Sequence, residues 1–249
     1  MVKNLSAVII TKNEETNIGR CLESIKDLVS EIVIVDSNST DKTIEICKSY
    51  GCNISQIEWK GFGLAKKFAV DSASSDWVFS IDADEEVTPE LAREIEVVMG
   101  NPKYNIYKIK RNSFFLGKKI KHCGWDNDYP KRLFNRKFGN FNYAIVHETI
   151  IINGERGTIE APLNHFSYPT IKLHMEKMNL YSELGAEEYF NEGRKTTLIS
   201  ALLNGLFKFI KMYFIKLGFL DGVHGFILSV NSAYGIFLKY IKLWDKTLR

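Results

Sequence analysis

The first residues here whose types and spacing point to chemistry are two aspartates two positions apart. In Ser80-Ile81-Asp82-Ala83-Asp84-Glu85 they leave the end of the apolar run Trp77–Ile81. Where a buried strand ends, the backbone can turn so that both carboxylates reach one small volume. Like charges that close repel unless a cation lies between them. Mg²⁺ or Mn²⁺ takes oxygen ligands and bridges protein carboxylates to substrate phosphates. Asp84 together with Asp82 is therefore a candidate metal and diphosphate site. The alternative is a solvated acidic turn in which an Asp caps a helix.

Two further polar segments follow apolar runs. Thr11-Lys12-Asn13-Glu14 comes after Leu5–Thr11, and Asp36-Ser37 with Ser39-Thr40-Asp41 comes after Glu31–Val35. Asn and Asp supply donors and acceptors suited to a uracil edge, and a carboxylate after a second strand suits ribose hydroxyls. Thr11, Asn13, Glu14, Asp36 and Ser37 are donor-site candidates on this reading. Ser39, Thr40 and Asp41 read as helix-capping residues, with Thr40 or Asp41 as N-cap. Neither GxGxxG nor GxxxxGK[ST] occurs, which excludes dinucleotide cofactors and P-loop hydrolysis.

These segments need a frame. Over the first hundred residues apolar β-branched runs alternate with helical periodicity. Ile18, Cys21, Leu22, Ile25 and Leu28 recur at helical spacing between about 17 and 28. A second helix ends at Gly51, a weak strand spans about 53–57, a third helix 64–72, and Thr88-Pro89 opens a fourth that Gly100 closes. Strands of this kind, alternating with helices, predict a mostly parallel sheet covered on both faces. Ligands of such sheets bind at the carboxyl ends of the strands. Tyr104–Arg111 reads as a further strand, followed by a basic, aromatic segment. From about residue 171 onward the pattern is helical.

The ordered set AVIITKNEE (7–15), EIVIVDSNSTDKT (31–43), WKGFG (59–63) and DWVFSIDADEEVTPEL (76–91) resembles glycosyltransferase family 2. Through GWDNDYPKRLFNR (124–136), VHE (146–148), LNHFSY (163–168) and GFLDGVHGF (218–226) it is similar to the bacterial lipopolysaccharide inner-core β-glucosyltransferase group. The resemblance implies a GT-A fold, a nucleotide-sugar donor such as UDP-glucose, a divalent cation and inversion at the anomeric carbon. It also gives Lys66 a place in the donor site, although Ala65 and Lys67 stand where the group tends to carry Gln and Asn.

Inverting transfer needs a group to take the acceptor hydroxyl's proton and a way to stabilise the departing diphosphate. Glu148 is the expected base and Asp128 the second choice. Arg132 is expected to clamp diphosphate, or an anionic acceptor. Trp125 and Tyr129 are candidates for stacking on an acceptor sugar. His147 and His165 are weaker candidates for metal or phosphate contacts.

The remaining expectations come from composition. Among 249 residues the net charge is +3, yet residues 194–249 carry nine Lys and Arg against two acids. Lys239, Lys242 and Lys246 share one side of a helix with aromatic neighbours, which suggests basic amphipathic helices on an anionic membrane surface. Packing on the protein or on a second copy is the competing use of that tail. The charge-free stretch 222–238 is too short and polar to cross a bilayer, and the run Ala7–Ile10 is too short for a signal peptide. Four cysteines with no CxxC spacing read as reduced thiols. The expected division is a catalytic domain at 1–170 and a helical, membrane-associating region at 171–249. The expected protein is cytoplasmic and peripheral at the inner membrane, moving a hexose from a UDP-sugar to a lipid-linked saccharide. Nucleic acid is not an expected partner, and homo-oligomerisation is left open. Transfer to a protein side chain, and a non-catalytic sugar-nucleotide-binding scaffold, are the alternatives.

Overall fold

The computed structural model describes residues 2–143 and 148–248, and His147 lies outside them. The chain forms two compact units, residues 1–111 with 128–165 and residues 112–127 with 166–249.

The first unit contains β1 (Leu5–Thr11), α1 (Ile18–Ile25), β2 (Glu31–Asp36), α2 (Thr43–Ser49), β3 (Asn53–Gln56), α3 (Phe62–Asp71), β4 (Trp77–Ser80), β5 (Glu85–Val87) and α4 (Pro89–Gly100). Strands β6 (Ile106–Phe115) and β11 (Gly157–Tyr168) begin in it and end in the second unit. Between them come β7 (Lys118–Lys119) in the second unit, and β8 (Lys131–Asn135), β9 (Asn140–Phe141) and β10 (Ile150–Ile151) in the first. The main sheet runs β3-β2-β1-β4-β8-β6-β11-β5, with β7 on β6. Strands β3, β2, β1 and β4 are parallel, as the alternation predicts. The sheet then continues in antiparallel fashion: β8 opposes both β4 and β6, and β5 opposes β11. Strands β9 and β10 make a separate small pair.

Side chains alternate across a strand, so both sheet faces need cover. Ala7, Ile9, Ile34 and Phe79 point to one face, where Ile18, Leu22 and Ile25 of α1 and Leu91 and Ile95 of α4 bury them. Val8, Val33, Val35 and Val78 point to the other, against Ala69 and Val70 of α3. Each helix is thus present because a strand face lacks cover. Local chemistry sets the ends. The Thr88 hydroxyl accepts from Leu91 N–H at 3.2 Å behind Pro89. Gly51 takes φ +69° after α2, a conformation that glycine adopts without steric penalty. The expected N-cap is corrected by one residue: Lys42 holds the N-cap position, while the Asp41 carboxylate accepts from Thr43 N–H at 3.0 Å.

The second unit is mainly helical: α5 (Ile171–Asn191), α6 (Leu198–Ile210), a π-helical turn (Lys211–Ile215), a 3₁₀ turn (Gly218–Asp221) and α7 (Val223–Leu248). Helix α7 packs along both α5 and α6. Buried Asp221 accepts from the backbone N–H of Lys121 (3.2 Å) and His122 (2.8 Å), which ties segment 112–127 to the 3₁₀ turn.

The lysine stripe of α7 requires a correction. Lys242 Nζ donates to Asn179 Oδ1 (2.8 Å) and Ser182 Oγ (2.8 Å), and Lys246 Nζ reaches Glu187 (2.5 Å) and Glu183 (3.2 Å). Lys239 Nζ lies 4.0 Å from the Tyr189 ring centroid. All three face α5, because that helix carries acids and carbonyls at matching heights. They are not an exposed membrane-facing row.

Phe79 is fully buried between the helices and the sheet. Replacing it with Ala should cost about 3–5 kcal/mol in urea unfolding. A loss below about 1 kcal/mol would show that this face of the sheet carries little of the core.

Candidate active site

The carboxyl ends of three adjacent parallel strands form the site. Thr11 at the end of β1 sits in register with Asp36 at the end of β2, and Ser80 ends β4 on the other side of β1. The loops after β1 and β2 are bonded to each other. Asn13, at φ +55°, donates its N–H to Ser39 Oγ and accepts from Thr40 N–H, both at 2.8 Å. Glu14 N–H donates to Thr43 Oγ1 at 2.8 Å, and the Glu14 carboxylate accepts from Asn17. Asp36 is fully buried and accepts from Ser39 N–H (2.9 Å) and Gln56 Nε2 (3.3 Å). Ser37, also buried, donates its N–H to Thr11 O at 2.9 Å. These candidates therefore build the wall of the site through loop-to-loop bonds. Thr11 Oγ1 is the exception, being buried without a hydrogen-bond partner among the described residues.

The Asp82–Glu85 turn is charged more densely than its sequence suggests. Strand β8 pairs with β4 through Phe79↔Leu133, and the next residue back, Arg132, reaches the turn. Its guanidinium, 4% exposed, bridges Asp82 and Glu85. Fully buried Glu85 also takes Arg111 Nη1 at 3.1 Å and accepts from Asp82 N–H at 3.0 Å. Arg111 grips Asp128 with Nε (2.7 Å) and Nη2 (2.6 Å). On the other flank, buried Lys66 places Nζ 3.0 Å from Asp82 and 2.7 Å from Glu148. The β5–β11 register sets His165 opposite Glu85, and its Nε2 lies 3.4 Å from Asp84 Oδ1.

Burial and ion pairing oppose each other here, and pairing wins. Burial alone raises the Asp82 carboxyl, but Arg132 and Lys66 hold it well below the ordinary carboxylate range. Burial pulls the Lys66 ammonium down, yet Asp82 and Glu148 leave it raised. Arg111 and Arg132 are raised in the same way against their own desolvation. The cluster holds five carboxylates (Asp82, Asp84, Glu85, Asp128 and Glu148) and three permanent cations (Lys66, Arg111 and Arg132). Among these described side chains the carboxylates outnumber the cations by two before His165 is counted.

That surplus, with a carboxylate and an imidazole side by side, suits a divalent cation held by few protein ligands. No group of three or more His, Cys, Asp or Glu among the described residues is placed to cage a metal. Asp82 has a protein cation on each carboxylate oxygen. Asp84 with His165 is the better donor pair, which moves the expected weight from Asp82 to a histidine beyond the motif.

Other candidates disperse. Tyr129 donates its hydroxyl to Glu160 at 2.9 Å in the first unit. Trp125 belongs to the second unit, its ring 6.2 Å from that of Tyr168. Arg111 escaped the sequence reading altogether. Its one signal was a charged residue at the end of a strand whose Ile106 and Ile109 face the core.

Four likenesses bear on this geometry. The model of glycosyl transferase family 2 matches residues 6–153. An uncharacterised glycosyltransferase of Rickettsia prowazekii (strain Madrid E) is 32% identical over 260 residues, covering 100% of this chain and 89% of that protein. The lipopolysaccharide core biosynthesis glycosyltransferase LpsC of Rhizobium meliloti (strain 1021) is 30% identical over 256 residues, covering 97% and 92%. The crystal structure of S. aureus TarS 1-349 in complex with UDP-GlcNAc superposes with a TM-score of 0.50 at 14% identity, covering 98% of this chain and 91% of that one. This last likeness is one of fold.

Arg132→Met removes the closest cation from fully buried Glu85 and should cost about 3–5 kcal/mol at pH 7. A depressed folded pKa stabilises above the unfolded value and loses that contribution as pH falls. The penalty should therefore shrink below about pH 4, where Asp82 takes up a proton in the variant. Urea titrations at pH 7, 5 and 3 measure it, and an equal penalty at all three would refute the ion-pair account.

Proposed function

This chain belongs to glycosyl transferase family 2, and from that membership we propose that it moves a hexose from a UDP-sugar to a lipid-linked saccharide of the lipopolysaccharide-core kind, in one inverting displacement. The single observation that carries the reading is the excess of carboxylates over cations among the described side chains at the strand ends. A nucleotide diphosphate brought to a cluster already short of cations would be repelled, whereas a diphosphate arriving with a divalent ion is neutralised there. The LpsC likeness supports the acceptor class, and the UDP-GlcNAc in the TarS complex supports the donor class.

Roles follow from placement. Thr11 Oγ1, buried and unpartnered among the described residues, is suited to a hydrogen bond with the nucleoside, beside the wall built by Asn13, Glu14, Asp36 and Ser37. Asp84 and His165 would hold Mg²⁺ or Mn²⁺, which supplies charge neutralisation at the departing diphosphate when bound. Arg132 Nε, another buried atom without a partner among the described residues, is a further donor suited to that diphosphate. Asp82 orients Arg132 and Lys66 by accepting from both.

Glu148 takes the proton from the acceptor hydroxyl as its oxygen attacks C1 and the bond from C1 to the β-phosphate oxygen breaks. Lys66 fixes the Glu148 carboxylate at 2.7 Å. Asp128 is less suited, because Arg111 forks onto one of its oxygens from two nitrogens. Nucleotide sugar as donor and lipid as acceptor together place the reaction at the cytoplasmic face of a membrane.

Incubating the full chain with radiolabelled UDP-hexoses and a membrane extract tests this reading. Label should enter the lipid fraction, EDTA should stop it, and Asp84→Asn should lower turnover by about 10²-fold or more. Glu148→Gln should lower kcat by about 10²- to 10⁴-fold while donor affinity stays within about twofold. Label entering protein, or full activity in EDTA, would overturn the acceptor class or the metal respectively.

A further inference from the structure

Helix α6 divides into three sectors. At 100° per residue, Leu198, Leu202, Leu206, Ile199, Leu203 and Phe207 follow one another around roughly half the circumference. Each of the six is at least 52% exposed. Ser200, Asn204 and Lys208 occupy the next sector, and Ala201 and Gly205 are buried in the third. Gly205 sits on α7, where an added Cβ would lie 3.2 Å from Ala233 O and 3.3 Å from Phe237 Cβ. The outward half is thus wholly apolar, and monomeric proteins in water rarely leave such a surface bare.

A groove of about 310 Å³ opens along this face, between α6 and α7. Leu202 and Leu206 belong to both face and groove, and Phe209, Tyr234 and Phe237 line it further. The surroundings are basic. No Asp or Glu occurs from Gly193 to Leu220, while Lys195, Lys211 and Lys216 are exposed.

We propose that this half of α6, with the groove beside it, lies in the headgroup layer of an anionic membrane, with its leucines and Phe207 among acyl carbons and the three lysines at lipid phosphates. Apolar area and basic charge on one surface are what interfacial helices combine. A second copy of the chain fits less well, because a twofold contact would bring the same lysines face to face. A bilayer span fits less well too. The apolar stretch Leu198–Ile215 is 18 residues with a mean hydropathy of 1.5. It reaches about 27 Å, short of the roughly 30 Å hydrocarbon core, and one side of it is taken by α7. The inference draws its purpose from the lipid-linked acceptor proposed above, but it is read without donor or acceptor, so either can fail alone.

The test is co-sedimentation of the full chain with phosphatidylcholine vesicles containing about one-third phosphatidylglycerol. The wild type should pellet with them and much less with pure phosphatidylcholine. Leu203→Glu with Phe207→Glu should cut the bound fraction about tenfold or more. Lys242→Gln with Lys246→Gln should bind as the wild type does. Both replaced apolar residues are exposed, and thermal unfolding checks that the variant folds. An environment-sensitive dye on Ile199→Cys, shifting to the blue with vesicles, reads the same surface with the apolar face kept. Four results would overturn the proposal: wild type left in the supernatant, binding that depends on Lys242 and Lys246, retention after alkaline carbonate extraction, or a vesicle-free dimer that the glutamates dissociate.

Discussion

A guanidinium buried between two carboxylates is the constraint on which the rest of the first unit depends. Glu85 has no exposure to water and Arg132 almost none. Neither charge is tolerable there alone, since desolvating an unpaired ion costs several kcal/mol. The pair ties β8 to the turn after β4, since Arg132 is the cation that reaches both Asp82 and Glu85. Arg111 and Lys66 extend the same logic outward, to Asp128 and Glu148. Residues separated by up to 82 positions, Lys66 and Glu148, are held within hydrogen-bonding distance by this chain of alternating charge.

The loops after β1 and β2 rely on hydrogen bonds rather than ion pairs. Asn13, Ser39 and Thr40 join two loops that leave adjacent parallel strands, and the Asp36 carboxylate holds Ser39 within its own loop. Their polar groups satisfy one another, so the wall is stiff before any ligand arrives. Rigid walls with a few unsatisfied atoms are what positioning a substrate requires. Thr11 Oγ1 and Arg132 Nε have no hydrogen-bond partner among the described residues.

The helical unit shows how charge can mislead about surface. Lys242 and Lys246 look membrane-ready on a helical wheel, yet α5 offers them Glu183, Glu187 and Asn179 at closer range. The exposed face of that unit is the less conspicuous α6, whose leucines a wheel could equally have assigned to a core.

Periodicity, strand ends and capping residues were legible in the amino-acid order, because each depends on neighbours within about a turn or a strand. The parallel strands, the covering helices and the polar segments after β1, β2 and β4 could be placed on those grounds alone. So could the prominence of Asp82 and Asp84, since two carboxylates at a strand end need a counter-charge. Which charge answers which was decided only in three dimensions. Arg132 comes from β8, antiparallel to β4, Arg111 comes from β6 one strand further on, and His165 comes from across β5. Nothing local encodes those meetings. They follow from strand register, and register is set by the whole sheet's burial.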